Sequence, residues 1–180
     1  MVTLRNELES RLKEELAGWQ KVVILGIGSE LSGDDSLGLL VAKKLKKALA
    51  GIAEVKVFTS GSCPENFTGL LRRLSPSHIL LVDAAETGET AGTIKIVEPN
   101  GIEEVTPSTH TLPLSMLVKY LEQELSSKIL VLGVQPERLS FGATLSEQVE
   151  DAVDNLVNLL EHTIELTQVS QERINGPKCE

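Results

Sequence analysis

Short, continuous apolar runs alternate along this chain with longer segments in which apolar residues recur every three or four positions. Continuous runs of this length are typical of buried strands, and the longer periodicity is typical of amphipathic helices. The pattern predicts strands at residues 22–28, 53–59, 77–84, 93–97 and 128–134. It predicts helices at residues 3–18, 35–49, 66–74, 112–125 and 146–166.

This order of elements determines the fold class that we expect. Strands that alternate with helices pair in parallel and bury both faces of the sheet under helices. We therefore predict an α/β three-layer sandwich, with a mostly parallel five-stranded sheet flanked by helices. A length of 180 residues predicts a single domain, 1–180. Within it, residues 1–19 would contain an extra N-terminal helix and residues 167–180 a flexible polar tail.

Charge and composition narrow the functional classes. The net charge is −9, which is the wrong sign for a protein that binds a nucleic-acid backbone. No apolar run reaches the ~20 residues needed to span a bilayer, and the charged first helix lacks the apolar core of a signal peptide. We therefore expect a cytoplasmic protein without membrane insertion. Cys63 and Cys179 are too far apart to form a metal-binding pair motif, so we expect a buried thiol and a tail thiol.

Acidic residues follow two of the apolar strands. Asp34 and Asp35 come after the first strand, and Asp83 lies near the end of the strand at 77–84. Each has a structural explanation, because aspartate is favoured at helix N-termini and backbone N–H groups can satisfy a carboxylate at a strand end. Together they are more informative, since the carboxyl ends of parallel strands share the edge at which open α/β sheets bind ligands.

One histidine could complete a metal site at that edge. His110 lies in a polar loop just before a predicted helix, whereas His78 and His162 are interpreted as surface or boundary residues. Two carboxylates and one imidazole suit a divalent ion such as nickel or zinc and leave coordination positions open for a substrate. A purely structural role for His110 is the alternative.

Other sites are less well supported. Gly26, Gly28 and Gly33 resemble a dinucleotide-binding loop, but Leu31 stands where the third glycine belongs, and the adjacent acids would repel a pyrophosphate. A nucleotide-binding protein is therefore a weak alternative. A thiol–imidazole pair of Cys63 and His110 is a further weak alternative.

Several segments, in order, resemble one known family. They read GIGSELSGDDSLG, GSCPEN, LLVDAAETGETAGTIKI, STHTLPL and LGVQPE. The chain is similar over residues 22–160 to the [NiFe]-hydrogenase maturation endopeptidases, and most similar to the branch that processes large subunits of formate-hydrogenlyase-type hydrogenases. Ser29 and Ser36 depart from the asparagine and glycine that this family usually has there.

The resemblance implies both a site and an activity. Asp35, Asp83 and His110 match the family's metal-contacting residues, and the activity would be hydrolysis of a peptide bond. The enzyme would remove a C-terminal extension from a hydrogenase large-subunit precursor after nickel insertion, with the nickel supplied by the substrate. The expected partners are that precursor and maturation chaperones. The alternative is a non-catalytic assembly factor that binds the metal or the large subunit on the same fold.

Overall fold

The computed structural model describes the backbone of residues 2–98 and 113–174, and the side chains of residues 6–98 and 113–168. In this part of the chain, one sheet contains the strands β1 (Val22–Ile27), β2 (Val55–Gly61), β3 (His78–Ala84), β4 (Ile94–Val97) and β5 (Lys128–Val134). Their order is β2-β1-β3-β5-β4, and every pair is parallel except the antiparallel pair β4 and β5. The predicted mostly parallel α/β sandwich is confirmed.

Helices cover both faces of the sheet. They are α1 (Val2–Glu15), α2 (Leu37–Ala48), α3 (Thr68–Leu74), α4 (Leu114–Glu124) and α5 (Glu147–Ile174). One apolar core joins α1, α2 and α5 to the sheet, and a second core on the opposite face joins α3 and α4 to it. Among the described helices, none combines the length and the apolar character needed to cross a membrane.

The central strands are apolar because both of their faces are covered. Every residue of β1 and β3 is buried, whereas the edge strands β2 and β4 include exposed positions. This difference is expected for a parallel sheet between two helix layers. Successive residues of β1 alternate between the two cores, so that Val22 and Ile24 face α2 and α5 while Val23 and Leu25 face α4.

The last helix is longer than the sequence pattern predicts. It continues to Ile174, so the predicted helix end near Leu166 is wrong. The flexibility of the tail, residues 167–180, stays a prediction. The hydroxyl groups of Thr163 and Thr167 donate hydrogen bonds to backbone carbonyls of the preceding turn, and Trp19 Nε1 donates to Thr167 Oγ1 at 2.8 Å. The bond from Trp19 ties this part of α5 to the segment that precedes β1. Residues 175–180 lie outside the described part of the chain.

His78 is also placed differently from the prediction of a surface or boundary residue. It is buried at the start of β3, and its Nδ1 lies 3.0 Å from Ser77 Oγ. Burial lowers the pKa of His78, and the neighbouring Lys128 lowers it further, because both disfavour the charged imidazolium. The structure therefore places His78 among the buried polar residues. His162 is exposed, as predicted.

Two glycines allow α2 to begin directly against the sheet. A Cβ atom at Gly38 would lie 2.3 Å from the Ile27 carbonyl oxygen and 2.4 Å from the Val82 carbonyl oxygen. A Cβ atom at Gly26 would lie 2.0 Å from the Gly38 carbonyl oxygen. Since no larger residue fits at these positions, the absence of a side chain fixes the start of α2 against the carboxyl ends of β1 and β3.

Gly38→Ala should therefore destabilise the protein by about 1–3 kcal/mol, because the added methyl group overlaps backbone atoms that have little freedom to move. Gly69→Ala in α3 is the matched control, since the nearest atom to its added Cβ would be a flexible arginine nitrogen at 3.9 Å. Alanine favours helix, so this control should stabilise by up to about 1 kcal/mol. Urea denaturation measures both changes, and equal shifts of the two variants would contradict the packing argument.

Candidate active site

The carboxyl ends of β1, β2, β3 and β5 meet at one edge of the sheet. β1 leads into a loop and then into a 3₁₀ turn, Gly33–Ser36, which immediately precedes α2. β3 ends at Ala84 on one side of β1, and β2 ends at Gly61 on the other. Side chains from these three segments therefore lie at the same edge of the sheet.

Asp35 lies in the 3₁₀ turn and is buried. Its backbone rests on the end of β1, where Ser29 N donates to the Asp35 carbonyl oxygen at 3.2 Å. Gly28 makes this approach possible, because a Cβ atom there would lie 1.7 Å from that oxygen and the residue has a φ of +133°. Oδ2 of Asp35 is a buried atom. The turn therefore holds this carboxylate within the protein at the sheet edge.

Asp83 is the penultimate residue of β3 and pairs in register with Gly133 of β5. Its side chain is buried, and its Oδ1 accepts a hydrogen bond from Ala84 N at 2.9 Å. The preceding residue, Val82, is the one whose carbonyl oxygen contacts the start of α2 at Gly38. Asp35 and Asp83 therefore lie on neighbouring segments of the same edge, as the strand ends predicted.

The third predicted residue is not covered by the structure. His110 lies outside the described residues, so its meeting with the two carboxylates stays a prediction. Within the described ranges, no group of three or more histidine, cysteine, aspartate or glutamate side chains is placed to hold a metal ion. Cys63 is half-buried just after β2 and is a free thiol, while Cys179 lies outside the described residues. The pairing of Cys63 with His110 is likewise untested.

Asp34 has a role that the sequence did not reveal. It is fully buried, and instead of capping its own helix its carboxylate binds a loop that follows β5. Oδ2 accepts from Glu137 N at 2.8 Å, from Arg138 N at 2.9 Å and from Ser146 Oγ at 2.9 Å. Oδ1 accepts from Ser146 N at 2.7 Å. Burial alone would raise the pKa of Asp34, but these hydrogen bonds outweigh it and lower the pKa below its ordinary value.

These bonds join the segment that follows β1 to the loop that follows β5, beside the sheet edge where Asp35 lies. Asp34 N also donates to the Arg138 carbonyl oxygen at 3.0 Å, so that backbone and side chain bind the same loop. The two adjacent acids thus have different environments. Asp34 joins the two loops, and Asp35 lies at the sheet edge.

Gln135 is a second buried residue that the sequence did not single out. Its Oε1 accepts from Thr87 N at 2.7 Å, and its Nε2 donates to Glu86 Oε2 at 2.8 Å. It therefore fixes the loop that follows Asp83 to the end of β5. The available signal was a polar residue directly after a buried strand, within the segment LGVQPE.

The two serines that depart from the family pattern bond within their own turn. Ser29 Oγ accepts from Leu31 N at 3.3 Å, and Ser36 Oγ donates to the Gly33 carbonyl oxygen at 2.8 Å. Both hydroxyl groups therefore support the conformation of the segment that carries Asp35.

Comparisons with known proteins identify the family of this chain. A family model described as hydrogenase maturation protease, HycI, matches residues 39–163. The chain is 38% identical over 164 residues to a Methanocaldococcus jannaschii protein provisionally named a hydrogenase maturation protease, covering 88% of this chain and 96% of that protein. It is 34% identical over 140 residues to the hydrogenase 3 maturation protease of Escherichia coli K12. This match covers 77% of this chain and 88% of the Escherichia coli protein.

A solved structure gives the same result. The crystal structure of the [NiFe] hydrogenase maturation protease HycI from Thermococcus kodakarensis KOD1 superposes with a TM-score of 0.79 at 30% identity. The superposition covers 86% of this chain and 99% of that one. The chain therefore belongs to the hydrogenase maturation protease family, and its activity is that of an endopeptidase.

Proposed function

We propose that this endopeptidase removes the C-terminal extension of a [NiFe]-hydrogenase large-subunit precursor after nickel has been inserted. The observation that carries the proposal is the burial of two carboxylates, Asp35 and Asp83, on adjacent segments of one sheet edge. The names of the relatives supply the substrate class. The precursor, together with maturation chaperones as further partners, is part of the proposal.

The proposed recognition element is nickel that the precursor already holds. Carboxylate oxygens and an imidazole nitrogen form a donor set that suits this ion. Asp35, Asp83 and His110 would complete the coordination of the substrate's nickel, and binding would therefore depend on a loaded site. This dependence would prevent the enzyme from cutting a precursor that still lacks its metal.

The chain's own residues would also orient the bond that is cut. Asp35 is held by the backbone contact to β1, and Asp83 by the register of β3 and β5. Fixed carboxylates of this kind can position a water molecule and accept its proton. Rigid placement matters, because the contribution of a general base depends on correct geometry at the reacting atoms.

A cleavage assay tests this proposal. The purified chain is incubated with a large-subunit precursor that is either nickel-loaded or nickel-free, and the released C-terminal peptide is measured by mass spectrometry. We expect release only from the nickel-loaded precursor. A large subunit that already lacks the C-terminal extension is the negative control. Equal cleavage of both forms would contradict nickel recognition but leave the endopeptidase activity intact.

The alternative is a non-catalytic assembly factor that binds the metal or the large subunit. The comparisons do not favour it, because the relatives are proteases. The same assay separates the two functions. An assembly factor would form a complex with the precursor and release no peptide.

A further inference from the structure

Three large apolar side chains are exposed on the two loops that Asp34 joins. Leu31 lies in the loop after β1 and is 61% exposed. Leu139 and Phe141 lie in the loop after β5 and are 37% and 81% exposed. We call these three residues the apolar loop patch. Exposed apolar surface that is contiguous marks interaction sites, whereas single exposed apolar residues are common.

The patch is held in a fixed position. The Leu31 carbonyl oxygen accepts a hydrogen bond from Gly142 N at 2.7 Å, which makes Leu31 and Phe141 near neighbours across the two loops. Gly33 lets the loops touch, because a Cβ atom there would lie 2.9 Å from the Arg138 carbonyl oxygen and 3.2 Å from Ala143 Cβ. A surface that is ordered before binding has less conformational entropy to lose when a partner arrives.

The position of the patch indicates its occupant. Leu31 precedes Asp35 in the same loop and turn, and Ser29 beside it bonds to the Asp35 carbonyl oxygen. We therefore expect a polypeptide that brings a bond to Asp35 to pass close to these side chains. A second copy of the chain on the patch would obstruct the edge at which the substrate must bind. A net charge of −9 disfavours an anionic membrane surface.

We propose that the apolar loop patch binds an apolar segment of the precursor polypeptide beside the bond that is cleaved. This inference rests on the proposed function and adds a specificity determinant to it. Burial of the patch would contribute to substrate binding, whereas Asp35 and Asp83 act at the reacting bond. The two contributions are separable by kinetics, because uniform binding affects KM and not kcat.

The double variant Leu31→Ser with Phe141→Ser tests the patch, with the nickel-loaded precursor as the probe. We expect KM to rise by about tenfold or more, with kcat within about twofold of the unsubstituted enzyme. Leu166→Ser is the matched control, because Leu166 is 41% exposed on α5 and far along that helix from its start at Glu147. Both of its kinetic constants should be unchanged. Phe141→Leu, combined with native Leu31, should restore most of the affinity.

An unchanged KM in the double variant would overturn the proposal while leaving the proposed function intact. A rise in KM that accompanies dissociation of a dimer, measured by sedimentation velocity, would also overturn it, because the patch would then be a contact between copies. If the unsubstituted chain cuts no precursor, the proposed function fails and the inference about the patch falls with it. Thermal melting of each variant verifies that the protein remains folded.

Discussion

Asparagine in place of Asp35 is expected to reduce kcat/KM for the nickel-loaded precursor by about 100-fold or more, which is the usual range for loss of a catalytic carboxylate. Asparagine has nearly the same shape, so the packing of the turn against Gly28 is retained while the negative charge is lost. A neutral amide is a weaker metal ligand and a far weaker base. The same substitution at Asp83 should have a similar effect, because Asp83 is buried at the same edge.

Asp154→Asn is the control for this experiment. It removes the same charge from an exposed position on α5, where Asp154 forms a surface ion pair with Lys44, and cleavage should be unaffected. Peptide release is measured by mass spectrometry, and thermal melting shows whether each variant is folded. A folded Asp35→Asn variant that retains more than about a third of the native kcat/KM would exclude the carboxylate from the reaction.

Alanine in place of Asp34 should cause the largest loss of stability, about 3 kcal/mol or more. It removes the acceptor for four hydrogen bonds and leaves buried and partly buried donors without that partner. A loss of this size is a large part of the ~5–15 kcal/mol by which a domain of this kind is stable. The donors belong to the loop that carries Leu139 and Phe141. The variant should therefore also bind the precursor more weakly under conditions in which it is still folded.

The contribution of Asp34 should depend on pH in a defined direction. Its pKa in the folded protein lies below the ordinary value of 3.8, so the folded state binds the proton less tightly than the unfolded state does. The stabilisation is therefore complete above about pH 4 and is lost as the pH falls through the folded pKa. We expect the difference in unfolding free energy between the native chain and Asp34→Ala to shrink below that pH.

Urea denaturation at pH 7 and at pH 3 measures this difference. Asp154→Ala is the control, since an exposed ion pair contributes only ~0–1 kcal/mol. A difference between the native chain and Asp34→Ala that stays constant across this range would show that the carboxylate is not the source of the stabilisation.

The sheet could be predicted from the sequence because its signals are local. The apolar runs at β1, β3 and β5 are continuous, and both faces of these strands are covered. The rule that parallel strand ends share an edge was sufficient to bring Asp35 and Asp83 into one region. These inferences need only the order of the elements and the position of each acid within its element.

The parts that could not be predicted depend on contacts between distant segments. Nothing near Asp34 indicates that its hydrogen-bond donors are Glu137, Arg138 and Ser146. Thr167, where α5 continues past its predicted end, accepts a hydrogen bond from Trp19, which is distant along the chain. His78 is buried although it begins a strand, and its position in the sequence does not indicate this. His110 stays a prediction from sequence.

The bonds to Asp34 also have a consequence for the order of events during synthesis. Their donors follow Asp34 by 103 to 112 positions along the chain. While a nascent polypeptide emerges from the ribosome, Asp34 is translated long before the segment that satisfies it. The bonds beside Asp35 can therefore form only after residues 137–146 have also left the ribosome.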